Sequence, residues 1–314
     1  MTEHPDNKSH GPPELPATGS YVGDQGTHID DLPSALADHP RYRVLKKLGY
    51  GGMGIVYLAE HRLMERKVAL KTMRYDRASP DFVQRFLREV RATAQLSHPN
   101  IVTVFDAKEA GDLLFLVTEL IEGPDPYDYV YRTHPLPIGA ACGLTRQVAI
   151  GLEHAHQRGI IHRDINPNNL ILDRSDFDTG AVVKIVDFGL ARFLDEARGY
   201  PMTPAGFAMG TRGYMAPEQA SDARTAGIHS DIFSLGRTLY YLLTNERPAD
   251  SLESDGSWEL IVTGVWDPAP VQRFRPDVPT GLVNLIYKMT ARKLRDRYQT
   301  CDQVAKSLEY WCTA

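Results

Sequence analysis

The chain contains 314 residues, of which 42% are hydrophobic and 24% are charged, and its formal net charge is −5. This composition is typical of a globular protein, and no apolar run reaches membrane-spanning length, so a cytoplasmic protein without a membrane partner is predicted. The acidic balance argues against a nucleic-acid partner. The three cysteines form no C-x-x-C pair, which argues against a disulfide framework or a zinc site. The composition leaves the oligomeric state open.

Residues 1–40 differ in composition from the remainder of the chain. They hold seven acidic side chains and one lysine, a net charge of −6, which leaves +1 for all the other residues. Six prolines and a single aromatic residue, Tyr21, accompany this charge. Such a segment cannot bury enough apolar surface to offset its chain entropy, so a disordered acidic tail is predicted, and the folded part is predicted to begin near Arg41.

Residues 42–73 have the pattern of consecutive strands around a glycine-rich turn. Gly49, Gly51 and Gly54 match G-x-G-x-x-G, which also occurs in dinucleotide-binding folds, where it opens a helix. Here β-branched and aromatic residues follow from Ile55 onward, so the turn is predicted to join two strands. The backbone N–H groups of such a loop can lie against phosphates, although a plain glycine-rich hairpin has the same pattern.

Strand alternation in the stretch VALKT places Lys71 on the face opposite Leu70. A lysine in this position needs a partner, because burying an isolated ammonium group is unfavourable. Residues 79–96 begin with Ser-Pro-Asp and repeat apolar side chains at helical spacing, so a helix is predicted that carries Glu89 at the edge of its inward face. Glu89 is then either the partner of Lys71 or a surface charge that pairs with Arg85.

The stretch IIHRDINPNNLIL, residues 160–172, contains the spacing H-R-D-x-x-x-x-N, from His162 to Asn169. The stretches LGYGGMGIV, VALK, HPNIV, DFG, GTRGYMAPE, SDIFSLG and RDRYQT accompany it in a fixed order. On these motifs the chain resembles the protein-kinase family over residues 41–312, and within it the bacterial eukaryotic-like serine/threonine kinases. The resemblance implies an α+β, bilobal fold with a β-rich N-lobe (41–118), a hinge (119–123) and a larger helical C-lobe (124–312).

The resemblance also implies ATP and Mg²⁺ as cofactors and assigns a role to each motif. Lys71 would contact the α- and β-phosphates and be held by Glu89. Asp187 and Asn169 would bind magnesium, and Asp164 would orient the substrate hydroxyl and accept its proton. The implied ATP-binding residues are Leu48, Gly49, Tyr50, Gly51, Gly52, Met53, Gly54, Ile55, Val56, Ala69, Lys71, Thr118, Glu119, Ile121 and Ile171.

The same resemblance indicates the substrate class and a mode of regulation. The stretch GTRGYMAPE is similar to the substrate loop of serine/threonine kinases, in which Thr211 would lie beside Asp164, so a protein with a serine or threonine hydroxyl is the implied substrate. In the family, an arginine at the position of Arg163 often binds a phosphate group on the activation loop, so the resemblance implies a phosphorylation site there. Thr203 is the candidate autophosphorylation site, with an unmodified loop threonine as the alternative.

Two positions depart from the family pattern. Phe233 stands where tryptophan is usual, a change that is predicted to affect packing only. Asn166 stands where the catalytic loop of a serine/threonine kinase carries a lysine beside the transferring phosphoryl group. An asparagine is shorter and neutral, so a slow kinase is predicted that a lysine at this position would accelerate. The alternative is a pseudokinase, a nucleotide-binding regulatory module with little or no phosphoryl transfer.

Overall fold

The structure, a computed structural model, describes residues 32–51, 54–74, 80–110, 113–173, 181–188, 212–247 and 270–313. Its first element is a short helix, α1 (Ser34–Ala37). Leu36 of this helix is only 1% exposed and belongs to the same apolar cluster as Tyr42 and Phe115. The predicted tail of residues 1–40 therefore extends too far, because residues 32–40 already contribute to the core, and its remainder lies outside the described residues.

The small lobe is built on a five-stranded antiparallel sheet. Its strands are β1 (Tyr42–Gly51), β2 (Gly54–His61), β3 (Arg66–Arg74), β4 (Val104–Ala110) and β5 (Leu113–Glu119). They lie in the order β1-β2-β3-β5-β4. Strand β3 is central, and the alternation predicted for it is present: Val68 and Leu70 are 1% and 0% exposed, while Lys71 lies on the other face.

The glycine-rich turn joins β1 to β2, as predicted, with Gly51 opposite Gly54 in the ladder. Gly54 has a φ of +140°, and a β-carbon at this position would lie 1.8 Å from the carbonyl oxygen of Thr72. Only glycine fits there, because the backbone of β2 approaches that of β3 too closely for any side chain. Gly52 and Met53, at the tip of the turn, lie outside the described residues.

One helix, α2 (Pro80–Thr93), packs against the sheet. Its apolar residues recur at helical spacing and face side chains from β3 and β5, in a cluster formed by Val83, Phe86, Val90, Met73, Leu114 and Leu116. The predicted helix over residues 79–96 is therefore present, and it ends three residues earlier than predicted. This packing places Glu89 on the helix nearest to the central strand.

The large lobe is mainly helical in the described part of the chain. Its helices are α3 (Pro126–Arg132), α4 (Ile138–His156), α5 (Pro217–Ser221), α6 (Ile228–Thr244), α7 (Val271–Phe274), α8 (Thr280–Met289) and α9 (Cys301–Glu309). A two-stranded antiparallel hairpin accompanies them, β6 (Leu170–Asp173) with β7 (Val182–Ile185). Helix α4 ends at His156, and Gly159 then turns the chain with a φ of +74°.

Helix α6 forms the centre of this lobe and is buried over almost its whole length. It packs against α4, α8 and α9 in one continuous apolar core. Phe233 of α6 is 4% exposed and lies between two guanidinium groups, Arg237 at 5.0 Å and Arg297 at 4.9 Å from the ring centre. An aromatic ring is therefore needed at this position for cation–π contacts with the two arginines, and phenylalanine supplies it. No helix in the described part of the chain is both long and apolar enough to cross a membrane.

A buried ion pair ties α5 to the C-terminal part of the lobe. The two terminal nitrogens of Arg297 donate to the two carboxylate oxygens of Glu218 over 2.7 and 2.9 Å, and the arginine side chain is 0% exposed. Burial acts to raise the pKa of Glu218, but the bonds and charge of Arg297 outweigh it and hold this pKa below its ordinary value. The pair therefore contributes stability above the ordinary glutamate pKa and loses it as the pH falls.

We predict that Glu218→Gln lowers the free energy of unfolding by about 3 kcal/mol at neutral pH, because it leaves the Arg297 charge buried without a counter-ion. Thermal unfolding against pH measures this. The difference from wild type should shrink as the pH falls through the lowered pKa of Glu218. The control is Glu309→Gln, which breaks the 3.1 Å pair with Arg146, since Glu309 is 68% exposed. An equal loss in both variants would contradict the prediction.

Candidate active site

The predicted catalytic loop is held by one buried carboxylate, Asp231 of α6, which is 1% exposed. Its oxygens accept from the backbone N–H of His162 over 2.9 Å and from that of Arg163 over 2.8 Å. A third bond of 2.8 Å joins it to the Nε2 atom of His156 on α4. Burial acts to raise the pKa of Asp231, but the bonds from His156 and the loop keep it below its ordinary value. The anion thus fixes the loop to both central helices.

Two residues of the site adopt left-handed backbone conformations that are uncommon outside glycine. Arg163 has a φ of +73° and Asp187 a φ of +66°. Such conformations are unfavourable for non-glycine residues and persist only where surrounding contacts impose them. The Asp231 bond holds the N–H of Arg163, and Gln219 donates to its carbonyl oxygen over 2.6 Å. These contacts aim the next residue, Asp164, in one direction.

His162 connects the catalytic loop to the segment that carries Asp187. Its ring is 0% exposed and meets the Phe188 ring edge to face, with centres 4.7 Å apart. Its Nδ1 accepts from the Asp164 N–H, so Nε2 carries the proton and donates to the carbonyl oxygen of Val186 over 2.8 Å. Burial lowers the pKa of His162, which favours this neutral tautomer. His162 therefore holds the catalytic loop by hydrogen bonds as well as by packing against Phe188.

The carboxylate of Asp164 is held on both sides by amide groups. Asn169 donates to its Oδ2 over 2.8 Å, and Asn166 donates to its Oδ1 over 3.0 Å. Burial raises the pKa of Asp164 to about 7, and the two amide bonds oppose that shift. Asn166 thus directs its amide at Asp164. The predicted slow transfer, and its acceleration by a lysine at this position, stay predictions.

Lys71 and Asp187 bring the two lobes into contact. The Nζ atom of Lys71 lies 2.6 Å from Oδ2 of Asp187, and the two side chains are 13% and 20% exposed. The structure pairs Lys71 with Asp187, and the contact of Lys71 with Glu89 stays a prediction. A partly buried ammonium group needs a close counter-charge, and Asp187 supplies it from the large lobe.

The predicted metal ligands fit a hard divalent cation. Asp187 offers a carboxylate, and Asn169 offers its amide oxygen, because its Nδ2 is committed to Asp164. Carboxylate and amide oxygens are the ligand types that magnesium prefers. Asn169 is 8% exposed and is the last residue of a 3-10 turn, Pro167–Asn169, so the turn and the bonds to Asp164 hold its side chain in place.

The hinge region adds a contact that the sequence analysis missed. Lys184 of β7 donates to both carboxylate oxygens of Glu119 over 2.8 and 2.9 Å, and the N–H of Thr103 donates to Oε1 of the same group. The Glu119 side chain is therefore engaged with the large lobe, and its backbone N–H donates to the carbonyl oxygen of Thr103 over 3.0 Å. Thr118, the preceding residue, donates its hydroxyl to the Glu119 carbonyl oxygen over 3.1 Å.

The structure brings two of the predicted adenine-binding residues together in one apolar cluster. Ile121 and Ile171 share an apolar cluster with Val102, and both are 8% exposed. In the sheet, Val56 is opposite Lys71, and Ala69 is opposite Thr118. The remaining nucleotide-binding candidates lie on β1 and β2, namely Leu48, Gly49, Tyr50, Gly51, Gly54 and Ile55.

Residues 42–308 match the family described as the protein kinase domain. The chain belongs to the protein kinase family. It is 36% identical over 270 residues to serine/threonine-protein kinase PrkC of Bacillus subtilis, which covers 86% of this chain and 40% of PrkC. It is also 36% identical over 282 residues to PknB of Mycolicibacterium smegmatis, covering 88% of this chain and 43% of PknB. The chain thus spans less than half the length of these curated relatives.

A solved kinase structure has the same fold. A crystal structure of Rad53 1-466 in complex with AMP-PNP superposes with a TM-score of 0.68 and 25% sequence identity, over 87% of this chain and 65% of that chain. The bilobal α+β architecture is therefore confirmed. Thr203, the predicted phosphorylation site, and Thr211, the predicted substrate-loop residue, lie outside the described residues.

We predict that Asp231→Ala in this kinase domain lowers stability by several kcal/mol, because three buried donors lose their acceptor and each costs about 1–3 kcal/mol. Thermal unfolding measures the loss, and hydrogen exchange should accelerate at the amides of His162 and Arg163. The matched control is Asp222→Ala, which removes an exposed carboxylate that pairs with Arg224. Unchanged exchange at the two loop amides would contradict the anchoring role.

Proposed function

We propose that the chain is an ATP-dependent serine/threonine protein kinase that uses Mg²⁺. The observation that supports this most is the meeting of the two lobes at Lys71 and Asp187, 2.6 Å apart, beside a catalytic loop in which Asn169 contacts Asp164 over 2.8 Å. Phosphoryl transfer needs a cation on the phosphates, oxygen ligands for a metal and a carboxylate for the attacking hydroxyl. These four side chains supply that set.

Each residue has a distinct task in the proposed reaction. Lys71 holds the α- and β-phosphates, and Asp187 and Asn169 hold magnesium, which when bound neutralises charge on the phosphates. Asp164 orients the serine or threonine hydroxyl and accepts its proton. The hydroxyl oxygen then bonds to the γ-phosphorus as the bond to the β–γ bridging oxygen breaks, which releases ADP. The proposed partners are ATP and a protein hydroxyl, and the proposed compartment is the cytoplasm, which supplies both.

The pseudokinase alternative has no specific support. Lys71, Asp164 and Asp187 are all present, and Lys71 forms an ion pair with Asp187. The resemblance to named serine/threonine kinases favours the same conclusion. A protein that bound nucleotide without transferring phosphate would revive the alternative.

We predict that millimolar Mg-ATP raises the melting temperature of wild type by several degrees, since ligand at about 100 times its Kd stabilises a protein by about 2.7 kcal/mol. Asp187→Asn should remove the magnesium-dependent part of this shift, because an amide is a weaker metal ligand than a carboxylate. The control is Asp128→Asn, which weakens only a surface pair with the half-exposed Arg132. No shift in wild type would argue against nucleotide binding altogether.

Phosphoryl transfer itself is tested with labelled ATP and a protein substrate rich in serine and threonine. Wild type should label both the substrate and itself, and Asp164→Ala should abolish labelling while it preserves the thermal shift with Mg-ATP. Labelling confined to tyrosine would contradict the proposed substrate class. Nucleotide binding without any labelling would support the pseudokinase alternative.

We also propose Thr203 as an autophosphorylation site. Among the described residues nothing accepts a hydrogen bond from the Nε atom of Arg163, although this atom is buried. A phosphothreonine supplies strong acceptor oxygens for a guanidinium group. Mass spectrometry of the active protein should find phosphate on Thr203, and Thr203→Ala should lower turnover. Active protein with Thr203 unmodified would contradict this proposal.

A further inference from the structure

Asn166 is the residue at which this chain departs from its family, and its side chain is closed off from the cleft. It is 2% exposed. Its Nδ2 group donates one hydrogen to Oδ1 of Asp164 over 3.0 Å and the other to the carbonyl oxygen of Asp164 over 3.1 Å. Its Oδ1 atom accepts from the N–H of Asn168 over 3.0 Å. Both of its donor hydrogens are therefore in use, and none remains for a phosphate oxygen.

The contacts made by Asn166 repeat those made by Asn169 on the other side of Asp164. Asn169 also donates to the Asp164 carbonyl oxygen, over 2.7 Å, and to the second carboxylate oxygen over 2.8 Å. Each amide group thus donates to both the backbone carbonyl oxygen and the carboxylate of Asp164. Because the two amides hold opposite oxygens, they fix both side-chain torsions of Asp164 in a single orientation.

Asn166 is itself held by the turn that follows it. Its backbone is extended, with φ −157° and ψ 165°, and its side chain caps the 3-10 turn Pro167–Asn169. Pro167 at the first position of the turn has no N–H to satisfy and is 3-10 compatible. The cap needs an acceptor, and lysine has none, whereas asparagine supplies the acceptor and the two donors together.

We propose that Asn166 is a positioning residue, which orients the Asp164 carboxylate toward the substrate hydroxyl and does not act on the transferring phosphoryl group. This inference rests on the proposed kinase activity. It explains how the chain retains a defined catalytic loop without the family's lysine. It also reverses one expectation from the sequence, since a lysine here would remove the cap and the paired amide bonds.

The test uses Asn166→Ser, with Asn168→Ser as the matched control. A serine at position 166 keeps an acceptor for the Asn168 N–H, so the cap remains, but it is too short to hold Oδ1 of Asp164. Asn168 is exposed, and only its backbone takes part in the loop. Steady-state rates are measured for both variants against ATP and against a protein substrate, with melting temperatures in the presence and absence of Mg-ATP.

Asn166→Ser should lower kcat at least about tenfold, because a displacement of about 1 Å in a reacting group can lower turnover about a hundredfold. The KM for ATP should change less than about twofold, since no contact with nucleotide is lost. The melting temperature and its shift with Mg-ATP should stay close to wild type. Asn166→Asp, which keeps the acceptor and replaces the donor by a carboxylate facing Asp164, should lower kcat at least as far. Asn168→Ser should match wild type.

Three results would overturn the inference. The first is an Asn166→Ser variant with the kcat of wild type. The second is an Asn166→Lys variant with a raised kcat and an unchanged KM for ATP, which would show that a cation near the phosphoryl group is what the site needs. The third is a parallel fall in kcat and in the melting temperature, which would show a structural role only. A wild type without any transfer would instead overturn the proposed kinase function, and the inference with it.

Discussion

The structure of the catalytic loop depends on a single buried anion. Asp231 belongs to α6, the most deeply buried helix of the large lobe, and it receives three hydrogen bonds at 2.8–2.9 Å. A buried carboxylate is stable only when its oxygens are satisfied, so the loop and the helix each require the other. This mutual dependence holds Arg163 in a left-handed conformation and sets the direction of the residue after it.

A second set of contacts joins the lobes without relying on the catalytic loop. Lys71 reaches Asp187 from the small lobe, and Lys184 reaches Glu119 from the large lobe. The two pairs place one lysine and one carboxylate on each side of the cleft. Both pairs are partly buried, so each charge is compensated by its partner across the junction of the lobes.

The two amides around Asp164 show how a substituted residue can preserve order at a reactive group. Asn169 belongs to the family pattern, whereas Asn166 departs from it, yet both donate to the same residue with similar geometry. A side chain that differs from the family's lysine in charge and length therefore contributes through hydrogen-bond geometry. The loss of a family residue such as this lysine therefore does not by itself show that the catalytic loop is disordered.

The sequence by itself determined the family and the bilobal fold, and it named the candidate residues of the site. Periodicity predicted the strands around Gly54 and the helix α2 to within a few residues, because local pattern and burial agree there. Tertiary structure decided the pairings. Leu36 joins the core beside Phe115, and Lys71 of the small lobe meets Asp187 of the large lobe. These choices depend on distances between segments far apart in the chain, which no local spacing encodes.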